Sequence, residues 1–63
     1  MSNLLETSLL SVIRSTPGIL TLKNLIDGFS HFGFTEKQVR TAMIQLERDG
    51  LIYANWDWKY TEV

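Results

Sequence analysis

TEKQVRTAMIQLERDGLIYANWDWKY, residues 35–60, decides how this chain folds. Thr35 is a good helix N-cap, and Gln38 stands three residues later, where it can complete a capping box. Val39, Ala42, Met43 and Leu46 follow at i, i+3, i+4 and i+7, so one apolar stripe runs along a helix over about residues 36–49. Gly50 stands where a left-handed residue ends a helix. Beyond it, Leu51, Tyr53, Trp58 and Tyr60 alternate with Ile52, Ala54, Lys59 and Thr61, the period of two that implies strands. Asn55, Trp56 and Asp57 form the bend between them, since Asn and Asp are turn formers. Trp58 and Tyr60 are expected in the core.

Toward the N-terminus two more helices can be read. The first covers about residues 3–15, with Asn3 as its cap, Glu6 at the box position, and Leu5, Leu9, Val12 and Ile13 on one face. Thr16-Pro17-Gly18 ends it, because proline forbids continuation and biases the residue before it away from helix. Ile19 and Leu20 suit a short strand. Thr21 caps the second helix, whose stripe is Leu22, Leu25, Ile26 and Phe29. Gly28 interrupts that helix at a cost of roughly 1 kcal/mol relative to alanine, which implies either a close helix–helix contact or early fraying. His31-Phe32-Gly33-Phe34 reads as a tight turn with aromatic anchors, Gly33 supplying a positive φ. A short glycine-containing turn between two helices is what a helix-turn-helix requires.

Composition limits the possibilities. Sixty-three residues allow one domain. A core this small rarely supplies more than ~3–5 kcal/mol. With no cysteine and one histidine, neither a disulfide nor a structural zinc site is available to reinforce it. No signal-peptide pattern precedes Leu4 and Leu5, and no stretch approaches the ~18 apolar residues that cross a bilayer. A cytoplasmic protein, a complete small gene product beginning at Met1, is the simplest expectation, with no membrane association. The net charge of −1 counts against nucleic-acid binding, which rests largely on phosphate neutralisation. What matters is where the charges fall.

The order helix, short strand, helix, turn, helix, strand, strand, with GLIYANWDWKY directly after the third helix, resembles the winged-helix superfamily of bacterial and phage transcription regulators. QLERDGLI, residues 45–52, is similar to the helix-end signature of these domains, in which a leucine, a charged pair and a glycine precede an apolar pair. WKY, residues 58–60, is similar to their returning wing strand, with an aromatic pair packed on the core. The resemblance implies an α+β fold of three helices plus a short two- or three-stranded wing. It also implies a small DNA-binding regulator that lays helix 35–49 in the major groove, with the wing, residues 51–61, flanking it.

With the stripe of the third helix turned inward, Lys37, Thr41, Ile44 and Arg48 occupy the opposite face, with Arg40 and Gln45 beside them and Gln38 as a further hydrogen-bonding group. Arginine can pair bidentately with guanine, glutamine with adenine, and Ile44 can meet a thymine methyl. The plainer reading makes these ordinary surface residues, Glu36 and Arg40 being a favourable i, i+4 pair worth about 0.2–0.5 kcal/mol. Thr21, Lys23 and Asn24 stand at the start of the second helix, where free N–H groups attract phosphate; the plainer and favoured reading makes Thr21 a cap alone. Lys59 suits either a phosphate contact or protection of a strand edge. Trp56 at the bend suits a stacking or interface contact, or burial over the helices. Leu4 and Leu10 lie off the first helix's stripe and suit a homodimer contact, although scattered exposed leucines are common.

No catalytic constellation or cofactor motif is present: the serines lack a base partner, His31 is alone, and no phosphate-binding glycine pattern occurs. The expected function is therefore binding of double-stranded DNA without enzymatic activity, metal or cofactor. The alternative is a winged-helix protein-interaction module, an accessory subunit or an inhibitor of a host protein, favoured by the near-neutral charge, Ile44 and Trp56.

Overall fold

A computed structural model describes residues 4–63. The elements run α1 (Leu4–Ser15), α2 (Leu22–Ser30), α3 (Glu36–Arg48), β1 (Ile52–Ala54) and β2 (Tyr60–Glu62). This is the α+β arrangement of a winged helix, three helices followed by an antiparallel pair of strands. The cap expected at Asn3 lies outside the described residues.

Local chemistry sets each boundary. Thr35 caps α3 through a complete capping box: its hydroxyl accepts from the Gln38 amide at 3.1 Å, and Gln38 Oε1 accepts from the Thr35 amide at 2.8 Å. Thr21 and Asn24 build the same reciprocal box on α2. Gly33 and Gly50 adopt φ of 89° and 75°, so the turns before and after α3 use a backbone region that side chains disfavour.

The strands pair Ile52 with Glu62, Tyr53 with Thr61, and Ala54 with Tyr60. The other edge of β2 is also occupied. Gly18 donates to the Tyr60 carbonyl at 2.9 Å, the Tyr60 amide donates to Leu20 at 2.8 Å, and Thr21 forms an isolated bridge with Lys59. The short strand expected at Ile19 and Leu20 is thus a bridged segment of the α1–α2 linker, too brief to form a regular strand. A 2.7 Å ion pair from Arg14 to Glu62 ties α1 to β2.

Leu5, Leu9 and Ile13 of α1, Leu25 and Phe29 of α2, and the full α3 stripe of Val39, Ala42, Met43 and Leu46 meet Ile52 and Tyr60 in one core. Three sequence expectations need correction. Trp58 is not core: it is 76 % exposed, and only Tyr60 of the aromatic pair packs inward. Leu10 is half-buried against the core and so is largely committed to the fold, whereas Leu4 is exposed. Gly28 marks neither a close contact nor fraying, because α2 continues to Ser30 and a Cβ at Gly28 would meet nothing within 4 Å.

Two stability measurements follow from this packing. Leu46 is 2 % exposed, so Leu46→Ala should lower the urea-unfolding free energy by ~2–5 kcal/mol. Gly28→Ala meets no steric obstacle and should raise it by about 1 kcal/mol, through helix propensity and a less flexible unfolded chain.

Candidate nucleic-acid interface

Burying the α3 stripe leaves an outer face on which Lys37, Thr41, Ile44 and Arg48 are all exposed. Ile44 stands 55 % exposed between the polar residues. Lys37 and Thr41, with Gln38 and Gln45, also line one wall of a groove of about 540 Å³ against Leu4 and Leu5 of α1. The face therefore offers two cations, a hydroxyl and an aliphatic side chain on a rigid helix, the kinds of group that contact phosphates, base edges and thymine methyls.

The other candidates on α3 are already engaged. Gln38 holds the capping box. Gln45 is half-buried and donates to Asp49 Oδ1 at 3.0 Å. Arg40 Nε pairs with Glu36 Oε2 at 2.7 Å, the i, i+4 ion pair of the plainer reading. Arg40 also lies on the flank facing β2, close enough to influence Tyr60. On α2, Thr21 and Asn24 spend their side chains on capping, while Lys23 is exposed. Among the described residues Lys23, Lys37, Arg48 and Lys59 have no ion-pair partner. A chain of net charge −1 thus keeps four of its cations uncommitted.

The hairpin tip is organised by Asn55. Its amide donates to the Lys59 carbonyl at 2.8 Å and its carbonyl accepts from Trp58 at 3.0 Å. Its Oδ1 accepts from the amides of Asp57 and Lys59 at 2.9 and 3.0 Å. Lys59 is half-buried, and its bridge to Thr21 sets the base of the wing beside the start of α2. Trp56 is 100 % exposed and does not fold back over the helices. Trp58 has φ of 60°, the single non-glycine with positive φ among the described residues, a conformation that costs roughly 1–2 kcal/mol. The exposed wing aromatics are therefore Tyr53, Trp56 and Trp58. Sequence reasoning singled out only Trp56, because alternation alone gives no sign of the left-handed residue that turns Trp58 outward.

No helix among the described residues is long and apolar enough to cross a membrane. The model of the PaaX-like protein family matches residues 4–57, which takes in all three helices, β1 and the wing tip. No curated protein and no solved structure matches the chain.

Tyr60 gives the site's frame a pH signature. Burial raises the pKa of its phenol above the ordinary 10.0, and the nearby Glu47 carboxylate adds to the rise, against a smaller lowering by Arg40. The folded state holds this proton more tightly than the unfolded chain does. The resulting stability is complete below pH 10 and is lost as pH climbs through the raised value. Urea unfolding should show an alkaline loss of stability that Tyr60→Phe reduces; an identical alkaline profile in the variant would remove Tyr60 as its source.

Proposed function

The chain belongs to the PaaX-like protein family, and from that premise we propose that it is a small DNA-binding transcriptional regulator. PaaX itself is a transcriptional repressor with a winged-helix-like domain. The observation that carries the reading is the outer face of α3, where Lys37, Thr41, Ile44 and Arg48 are exposed and neither cation has an ion-pair partner among the described residues. In the mechanism, α3 enters the major groove of duplex DNA. Arg48 and Thr41 supply base-edge or phosphate hydrogen bonds, Ile44 meets thymine methyls, and Lys37 neutralises phosphate. Lys23 at the start of α2 and Lys59 at the base of the wing flank the helix and help to fix its register. The role is binding, without catalysis, cofactor or metal.

Exposed Ile44 and Phe32 favour a second reading, a protein-interaction module in which the same helix packs on an apolar partner surface. A homodimer through Leu4 is a further proposal, with Leu10 contributing only what its half-buried side chain still exposes; Leu4 lines the same groove as Lys37 and Thr41, so this contact borders the outer face of α3.

Duplex titrations of single variants test the DNA reading. Arg48→Ala should cost ~1–3 kcal/mol in specific binding if Arg48 reads a base edge. Lys37→Ala should weaken binding uniformly across sequences and flatten the salt dependence by about one unit of log–log slope. Arg40→Ala should have the smallest effect of the three, because its guanidinium already serves Glu36. Parent-like binding by both Arg48→Ala and Lys37→Ala would exclude α3 as the reader.

A further inference from the structure

The wing carries an aromatic surface that the fold does not use. Tyr53, Trp56 and Trp58 are 51 %, 100 % and 76 % exposed, and together with Ala54 and Asn55 they line one open cleft of about 670 Å³. Folding gains little from these rings, and Trp58 holds its place in a left-handed conformation for which glycine is the better residue. A strained residue whose side chain faces solvent points to a surface kept for a ligand.

We propose that this cleft stacks unpaired nucleobases, so that the wing grips a single-stranded or locally opened stretch of the DNA that α3 engages. This inference rests on the DNA-binding reading and adds a second, chemically different contact to it. The lining is aromatic rather than aliphatic, Ala54 being its one aliphatic side chain. Flat π-faces suit bases, which stack regardless of sequence. Charge sets the polarity of the contact. Asp57 at the tip disfavours phosphate there, whereas Lys59 carries no ion pair among the described residues and its bridge to Thr21 places it by the start of α2, near Lys23. A strand can therefore run its phosphates along the base of the wing and turn its bases into the cleft. Stacking also supplies affinity that does not depend on net positive charge, which this chain lacks.

Trp56 and Trp58 are the chain's two tryptophans, so its intrinsic tryptophan emission reports on the cleft. The full chain is titrated with single-stranded oligo(dT), with an abasic strand of equal length, and with fully paired duplex. Oligo(dT) should quench the emission and the abasic strand should not. Trp56→Ala should weaken oligo(dT) binding about tenfold or more. Trp58→Gly should weaken it likewise while raising the thermal midpoint, because glycine relieves the left-handed backbone; a purely structural Trp58 would lower the midpoint instead. Equal quenching by the abasic strand, or parent-like oligo(dT) affinity in both variants, overturns the proposal. Duplex binding that persists without oligo(dT) quenching removes the cleft and leaves the α3 reading intact. Oligo(dT) quenching without any duplex affinity keeps the cleft and removes α3 as the reader.

Discussion

Strand β2 is bonded along both edges and buried on one face, and Tyr60 does both at once. Its backbone pairs with Ala54 on one edge and bonds to Gly18 and Leu20 on the other, while its ring is buried in the core. Two residues on, Glu62 reaches Arg14 on α1. A three-residue strand thus holds together the hairpin, the α1–α2 linker and the helices. The exposed ion pair contributes at most about 1 kcal/mol, so the buried ring and the backbone bonds on both edges dominate. Because the linker is held on β2, the N-terminus of α2 is fixed against the base of the wing, and Lys23 and Lys59 are brought into one neighbourhood.

The candidate interface is defined as much by what the fold consumes as by what it displays. Capping uses Gln38, Thr21 and Asn24; a side-chain bond uses Gln45; an ion pair uses Arg40. What remains is sparse: four unpartnered cations, Thr41, Ile44 and the wing aromatics. Such a surface supplies limited phosphate neutralisation. On the proposed DNA-binding reading, apolar and stacking contacts carry a larger share of recognition than in strongly basic binders, and the exposed Ile44 and wing tryptophans are the groups that would make them.

Much of this was legible in the sequence. Both threonine caps, the α3 stripe and the glycine stops obey local rules that act within four residues, and all appear in the structure where those rules place them. The misread positions depend on turn geometry, side-chain pairing and packing that the pattern of residue types does not carry. Trp58 satisfies the alternation of an inward strand residue, but the Asn55-centred turn places a left-handed residue there and rotates the side chain outward. Leu10 falls off its helix's stripe yet packs on the core from the flank, which a wheel drawn for one helix does not capture. Asn24 and Gln45 have the chemistry of DNA contacts, and their hydrogen-bond partners show that they serve the helices instead; for Gln38 the spacing to Thr35 already offers the capping role that the structure shows.

The proposed function requires the outer face of α3 to meet duplex DNA. Backbone amide mapping by NMR tests it most directly, with isotope-labelled protein titrated against a short random-sequence duplex at low salt. The largest shifts should fall on Lys37, Thr41, Ile44 and Arg48, with smaller ones around Lys23 and Lys59, while amides of the buried stripe of α1 stay in place. Absence of shifts, or shifts centred on α1 and the exposed Phe32 turn with α3 silent, would contradict it.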